Sequence, residues 1–230
     1  MAENRVALIT GAGRGIGRAI ADRLLADGWK LSLGLRQPQG HWLEDDAIHT
    51  HVYDAQTGGE AEWVDAALQR FGRIDAVIAN AGIMVAKSVV EIDDEDLNTM
   101  WAVNVRAPQR LAKAAFSALS LSGRGRIAII ASLSGKRVAS VDSSAYALTK
   151  HAAVGLAHGL RQAGFDKGIR TTAICPGFVA TDMGLALAPE NAAAMTSPEE
   201  VADVVAYAIN LPNRASVAEM TVNWRAEQLY

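Results

Sequence analysis

The sequence reads Thr10-Gly11-Ala12-Gly13-Arg14-Gly15-Ile16-Gly17 between a short apolar run at residues 6–10 and a helical pattern at residues 16–27. Gly11, Gly15 and Gly17 follow the spacing G-x-x-x-G-x-G. The strict G-x-G-x-x-G pattern, counted from Gly11, would need a third glycine at the position of Ile16. Glycines permit a tight turn, and the N-terminus of the following helix offers unpaired N–H groups to phosphates. The stretch therefore predicts a dinucleotide-binding turn; the alternative interpretation is a turn with a structural role only.

Short apolar runs alternate with longer helical patterns along the rest of the chain. We predict strands at residues 6–10, 31–35, 48–53, 74–79, 127–131, 171–174 and 220–222, and helices at residues 16–27, 59–71, 94–121, 143–163 and 198–209. Most of these strands lack polar alternation, which is typical of a parallel sheet covered on both faces. The pattern predicts an α/β fold, a Rossmann-type doubly wound parallel sheet with helices on both faces, in a single domain over residues 1–230.

One connection is shorter than a parallel crossover usually requires. Only 11 residues separate Arg36 from Ile48, and they include Pro38 and Gly40, whereas a crossover normally takes a dozen or more. We therefore expect at most a short helical turn at residues 37–47, packed by Trp42 and Leu43.

Composition excludes several classes of protein. The 22 basic and 25 acidic side chains give a formal net charge of −3, so no basic surface for nucleic acid is expected. Hydrophobic residues make up 50% of the chain, which excludes intrinsic disorder. The single cysteine, Cys175, forms no intramolecular disulfide, and the histidines lack the spacing of a metal site. No signal or membrane segment is evident, so we expect a cytoplasmic protein with no membrane, nucleic-acid or metal partner.

A tyrosine and a lysine lie four positions apart on one predicted helix. Tyr146 and Lys150 therefore share a helical face. A nearby ammonium favours the phenolate and would lower the tyrosine pKa from about 10, as acid–base catalysis near neutral pH requires. On spacing alone an amphipathic surface pair is the more frequent interpretation. The context favours catalysis, because Ser132 and Ser134 follow a strand at the sheet edge where open α/β folds bind ligands.

Together these motifs resemble the classical short-chain dehydrogenase/reductase family. The resemblance implies a catalytic tetrad of Asn104, Ser132, Tyr146 and Lys150. Ser132 would hydrogen-bond a substrate carbonyl, Tyr146 would transfer the proton, and Lys150 would hold the cofactor ribose and depress the tyrosine pKa. Family spacing selects Ser132, although the 14-residue step to Tyr146 is slightly long and leaves Ser134 as a second candidate.

Asn104 has two interpretations, since it falls in the middle of the predicted helix at residues 94–121. The resemblance implies a local kink that orders a water linked to Lys150. The alternative is an ordinary capping or interhelical amide.

The resemblance also assigns the cofactor contacts. They are Thr10, Gly11, Arg14, Gly15, Ile16, Gly17, Arg36, Asp54, Asn80, Gly82, Tyr146, Lys150, Pro176, Gly177, Val179 and Thr181. One departure is that Ala79 stands where the family's Asn-Asn-Ala-Gly motif has its first asparagine, which weakens the strand-linking role expected of that amide.

The end of the second strand predicts which dinucleotide is bound. An acidic residue there would favour NAD, but the strand ends in Arg36. Arg14 and Arg36 together would clamp a 2′-phosphate, so NADP(H) is the preferred hypothesis. The alternative is that both are solvated surface arginines and that NAD(H) is used.

The resemblance implies hydride transfer between NADP(H) and a small carbonyl or alcohol substrate, covered by a lid at residues 182–197. It further implies a homodimer or homotetramer formed through the helices that carry Asn104 and Tyr146. The alternative from another class is a cofactor-binding sensor or scaffold without turnover, since fold does not dictate function. A non-redox enzyme such as an epimerase is a weaker third option. The substrate's identity is not encoded in any motif.

Overall fold

A parallel sheet forms the centre of this computed structural model, which describes residues 4–37, 42 and 45–226. Its strands are β1 (Val6–Thr10), β2 (Lys30–Leu35), β3 (Ile48–Val52), β4 (Ala76–Ala79), β5 (Arg126–Ile130), β6 (Arg170–Pro176) and β7 (Glu219–Val222). They lie in the order β3-β2-β1-β4-β5-β6-β7, and every neighbouring pair is parallel. The predicted fold class is confirmed, with strand bounds that differ from the predictions by at most two residues.

Helices cover both faces of the sheet. They are α1 (Gly15–Ala26), α2 (Glu60–Phe71), α3 (Asp94–Trp101), α4 (Ala107–Leu121), α5 (Ser144–Gly164), α6 (Asp182–Leu187) and α7 (Pro198–Asn210). One apolar core includes residues of α2, α4 and α5, and a second includes residues of α1 and α7. Because both faces are buried, β1, β4 and β5 are buried at every residue, which explains why these strands show no polar alternation.

The helix predicted at residues 94–121 is not continuous. A π-helical segment, Ala102–Arg106, separates α3 from α4 and carries Asn104. Single π turns are rare and concentrate at functional sites. The structure thus places a helical irregularity at the position where the sequence predicts a kink.

The short connection between β2 and β3 packs as predicted where it is described. Trp42 is buried, and its indole Nε1 donates to the carbonyl oxygen of Ala12 at 3.0 Å. Residues 38–41, 43 and 44, including the expected partner Leu43, lie outside the described residues.

The sheet changes direction between β1 and β4. The chain proceeds from β1 outward to β2 and β3, and it returns to the other side of β1 as β4. In open α/β sheets the crevice beyond the carboxyl ends of two such strands is the position that binds ligands. Thr10 ends β1 at this crevice, and Asn80 directly follows β4.

Gly34 on β2 lies against the ring of Trp63 on α2. A Cβ atom at position 34 would lie 2.7 Å from Cη2 of Trp63, which is fully buried and donates from Nε1 to Ser32 Oγ at 2.8 Å.

We expect Gly34→Ala to lower the free energy of unfolding by about 1–3 kcal/mol through overpacking, measured by urea denaturation. In a Trp63→Phe background the smaller ring leaves room for the methyl group and the cost should shrink; an equal cost in both backgrounds would contradict this explanation.

Candidate functional site

A cleft of about 920 Å³ opens at the carboxyl edge of the sheet, a size typical of small-molecule sites. Most of the predicted site residues line it: Gly11, Arg14, Gly15, Ile16, Arg36, Asp54, Asn80, Gly82, Ser132, Ser134, Tyr146, Lys150, Pro176, Gly177, Val179 and Thr181. Thr10, Gly17 and Asn104 are not among the lining residues, and their contacts support the residues that are. The structure therefore brings together motifs that span most of the chain.

The glycine turn has a backbone that side chains would disrupt. Gly11 and Gly15 adopt the left-handed region, with φ of 68° and 54°. A Cβ atom at Gly17 would collide with the carbonyl oxygen of Gly11 and with the amide of Asn80. At its glycine positions the turn thus presents bare backbone beside the N-terminus of α1.

Thr10 and Asn80 fix this turn to β4. The Thr10 Oγ1 atom accepts hydrogen bonds from the backbone N–H groups of Asn80 and Ala81, each at 2.9 Å. The Asn80 Nδ2 atom donates back to the carbonyl oxygens of Thr10 at 3.0 Å and Gly11 at 3.3 Å. These contacts join β1 and β4 in spite of the alanine at position 79.

Ser132 and Tyr146 meet at the cleft. Ser132 follows β5 in an extended conformation, and its Oγ accepts from the backbone N–H of Ser134 at 3.0 Å. The Ser132 side chain lies close enough to the Tyr146 phenol to lower its pKa, against the larger effect of burial. Of the two candidate serines, Ser132 therefore contacts the tyrosine, whereas Ser134 supports Ser132 through its backbone.

Burial sets the protonation of the Tyr146 and Lys150 pair. Desolvation raises the pKa of Tyr146 to about 12, and the nearby Ser132 side chain opposes this only partly. Desolvation likewise lowers the pKa of Lys150 to about 8. The Lys150 Nζ atom donates to the carbonyl oxygen of Ile130 at 2.9 Å and lies 5.6 Å from the centre of the Tyr146 ring. The expected lowering of the tyrosine pKa is absent in this chain, because loss of solvation outweighs the favourable contacts of the phenolate.

Asn104 uses its side chain to hold neighbouring segments together. Its Nδ2 atom donates to the carbonyl oxygen of Ile83 at 2.9 Å and to Thr149 Oγ1 at 3.0 Å, and its Oδ1 atom accepts from the N–H of Ile83 at 2.9 Å. This is the interhelical arrangement given above as the alternative. The link through water to Lys150 stays a prediction.

The two arginines expected at a 2′-phosphate have different neighbours. Arg14 forms an ion pair with Asp182 at the start of α6, which joins the glycine turn to the predicted lid. Arg36 is exposed at the cleft and makes no hydrogen bond or ion pair with any other described residue. Of the pair, Arg36 alone has a guanidinium without a carboxylate partner in the described part of the chain.

The predicted lid contains a short helix. Thr181 caps α6, its Oγ1 accepting from the N–H of Gly184 at 3.4 Å. Met183 and Leu187 of this helix line the cleft with apolar surface.

Sequence reasoning missed one wall of the cleft. Arg137, Phe178, Trp224 and Arg225 line it, and two of them come from the segment that follows β7. A local motif does not identify these residues, because only the pairing of β7 with β6 brings the segment to the cleft.

In the described ranges 4–37, 42 and 45–226, no group of three or more His, Cys, Asp or Glu side chains is placed to hold a metal ion. Nor does any helix in these ranges have the length and apolar character needed to cross a bilayer.

The known proteins that this chain resembles in sequence include dehydrogenases, reductases and oxidoreductases. A family model described as short chain dehydrogenase matches residues 5–192. The Agropine synthesis reductase of Rhizobium rhizogenes is 37% identical over 239 residues, covering 99% of this chain and 54% of the relative. The chain thus spans about half the length of that protein. An uncharacterized oxidoreductase of Staphylococcus aureus is 32% identical over 225 residues, covering 95% of this chain and 96% of the relative.

Solved structures agree over nearly the whole chain. An alcohol dehydrogenase from the archaeon Thermococcus sibiricus, complexed with 5-hydroxy-NADP, superposes with a TM-score of 0.84 at 29% identity and covers 99% of this chain and 100% of that one. A short chain dehydrogenase from Burkholderia cenocepacia in complex with NADP gives 0.84 at 28% identity, covering 96% and 97% respectively.

Replacing Asn104 tests its role in holding Ile83. We expect Asn104→Leu to lower the free energy of unfolding by about 2–4 kcal/mol, because it leaves the N–H and C=O of Ile83 without partners. Thr149→Val removes one acceptor of the same amide and should cost only about 1 kcal/mol. Chemical denaturation measures both, and hydrogen exchange of the Ile83 amide should accelerate only in Asn104→Leu. Equal losses, with an unchanged Ile83 amide, would refute the assignment.

Proposed function

Because the chain belongs to the short chain dehydrogenase family, we propose that it is an NADP(H)-dependent oxidoreductase that transfers a hydride between the cofactor and a small carbonyl or alcohol substrate. The observation that carries this proposal is that Ser132, Tyr146 and the buried Lys150 lie together at the cleft, with the Lys150 Nζ atom 5.6 Å from the centre of the Tyr146 ring. A binding protein has no need of a buried phenol placed beside a buried ammonium and a serine at the cleft. The NADP ligands of two structural neighbours support the cofactor assignment.

The residues present fit a dinucleotide. A Cβ atom at Gly17 would clash with the backbone of the turn, and Gly11 and Gly15 adopt left-handed conformations. The glycines therefore leave backbone N–H groups accessible beside the N-terminus of α1, as binding of a pyrophosphate requires. Arg36 and Asp54 would hold the adenosine end. The nicotinamide end and its ribose would be held by Asn80, Gly82, Tyr146, Lys150, Pro176, Gly177, Val179 and Thr181.

Each catalytic residue has a defined task in this proposal. The bound nicotinamide supplies the hydride in reduction. Ser132 orients the substrate oxygen by a hydrogen bond, and Tyr146 donates its proton to that oxygen. Since burial raises the Tyr146 pKa to about 12, the phenol keeps its proton at neutral pH and is available as an acid. Lys150, whose pKa is lowered to about 8, still carries its charge at neutral pH.

The proposal extends to the protein's surroundings. We infer one domain over residues 1–230, a cytoplasmic location, and a homodimer or homotetramer formed through the helices that carry Asn104 and Tyr146. Support for the assembly comes from apolar side chains exposed along α4 and α5, Leu121 at 89% and Leu148 at 48%, since exposed apolar patches often mark protein interfaces.

Replacing the phenol by a phenyl ring tests the catalytic assignment. We expect Tyr146→Phe to lower turnover by roughly 10²–10⁴-fold, the usual contribution of general acid–base catalysis, while NADPH binding stays nearly intact. Turnover is followed by NADPH absorbance over a broad carbonyl panel, and binding by fluorescence titration. Tyr207→Phe, at an exposed position on α7, is the matched control. Turnover of Tyr146→Phe near that of the wild type would overturn the assignment.

Cofactor preference tests the role of Arg36. We expect the wild-type Michaelis constant for NADPH to be lower than that for NADH. Arg36→Gln should raise the NADPH constant about 10–100-fold, the loss of one or two charge-assisted contacts, and leave the NADH constant unchanged. Arg14→Gln should have a smaller effect, since Arg14 is paired with Asp182. An equal or lower constant for NADH in the wild-type protein would contradict the NADP(H) assignment.

A further inference from the structure

We propose that the substrate carries a carboxylate, bound by Arg137 and Arg225 on the cleft wall next to the catalytic serine. The proposal rests on the proposed function, because it places the substrate in the same cleft. It narrows the substrate class from carbonyl compounds in general to oxo acids and their hydroxy-acid counterparts.

Charge is distributed unevenly along the cleft. The charged residues that line it are Arg14, Arg36, Asp54, Arg137, Lys150, Asp182 and Arg225. Asp182 is paired with Arg14, and Asp54 follows β3 on the side assigned to the adenosine. Among the described lining residues, the wall beyond Ser132 therefore has cations and no carboxylate. An anion is the ligand that such a wall favours.

Two contacts hold the arginine-bearing segments side by side. Lys136, next to Arg137, donates from Nζ to the Glu219 carboxylate of β7 at 2.5 Å. The side chains of Leu133 and Asn223 also converge on Gly177, where a Cβ atom would lie 3.1 Å from Leu133 Cδ1 and 2.8 Å from Asn223 Cγ. Residues 133–137 directly follow Ser132, and residues 223–225 directly follow β7. Both arginines therefore belong to one wall that begins at the catalytic serine.

Three side chains of this wall, Arg137, Trp224 and Arg225, have donors that make no hydrogen bond within the described chain. Arg137 makes no side-chain hydrogen bond or ion pair there, and the Arg225 guanidinium lies 5.0 Å from the ring of Trp224. The Trp224 Nε1 atom is buried and has no acceptor among the described residues. A buried donor without an acceptor costs about 1–3 kcal/mol. Two guanidiniums and an indole N–H are all donors, and a carboxylate, which only accepts hydrogen bonds, complements them.

Apolar residues of the same cleft fit the rest of such a molecule. Met183 and Leu187 of α6 supply apolar surface. The proposed substrate places its carbonyl at Tyr146, a short hydrocarbon chain along α6 and its carboxylate at the two arginines. Each of its parts then contacts residues of matching chemistry. In reduction the carbonyl carbon gains a hydride from NADPH and the oxygen gains the Tyr146 proton, while the carboxylate is unchanged.

Matched pairs of substrates test the proposal. Levulinate and longer methyl-ketone acids are compared with their methyl esters, which keep the ketone and lose the charge. We expect kcat/KM to favour the best acid over its ester by about 10–100-fold, as for a charge-assisted contact. Arg137→Gln and Arg225→Gln should each remove most of this preference, because each lowers kcat/KM for the acid far more than kcat/KM for the ester. Arg137→Lys should retain part of it, and Arg214→Gln, exposed and not among the lining residues, should change nothing.

A second readout separates this inference from the proposed function. Calorimetric titration of the same acids into the NADPH-loaded protein measures binding without turnover. Acid binding that depends on both arginines, without turnover of acid or ester, would support the carboxylate site and count against the proposed function. Equal turnover of acid and ester in the wild type, unchanged in both Gln variants, would overturn the carboxylate site and leave the proposed function standing. If acid binding does not depend on the two arginines, the carboxylate site is also overturned.

Discussion

The hydroxyl of Thr10 accepts two backbone hydrogen bonds from the residues that follow β4, and the geometry of the cleft depends on this junction. It joins the carboxyl ends of β1 and β4 where the sheet changes direction, so the crevice there has a fixed width. The Asn80 amide returns two bonds to the turn, and the bare backbone of Gly17 lets that amide approach. One side-chain hydroxyl and one amide thus give the turn the rigidity that recognition of a ligand by backbone N–H groups requires.

The second constraint on the site is the burial of Tyr146 and Lys150, which determines their protonation states. Tyr146 and Lys150 are both buried, and loss of solvation moves their pKa values apart: that of Tyr146 rises to about 12 and that of Lys150 falls to about 8. A protonated phenol and a charged ammonium then coexist at neutral pH. That state suits donation of a proton to a carbonyl oxygen, whereas removal of a proton from an alcohol needs the phenolate.

The fold was predictable from sequence because buried parallel strands leave unbroken apolar runs, such as that of β1. The site was predictable where residues stand at strand ends or on one helical face, as Ser132, Tyr146 and Lys150 do. The sequence indicated only a kink at the position of the π turn. The turn itself was not predictable, because it depends on hydrogen bonds from Asn104 to the distant residues Ile83 and Thr149. The chain's own residues raise the Tyr146 pKa, contrary to the lowering expected from Lys150, because spacing carries no information on burial; the effect expected of an oxidised nicotinamide stays a prediction. The catalytic and cofactor roles of individual residues stay predictions.

The arrangement of arginines explains how an acidic chain can take anionic ligands. With a net charge of −3, the protein as a whole does not attract anions, so attraction must be local. Arg36 at one end and Arg137 with Arg225 at the other face the cleft without carboxylates beside them in the described structure, whereas Asp182 between them neutralises Arg14. Both members of that pair are about three-quarters exposed, and such pairs contribute only about 0–1 kcal/mol. Residues 182–197, which the sequence predicts as a lid, are therefore held to the glycine turn only weakly through Asp182, as the opening of such a lid would require.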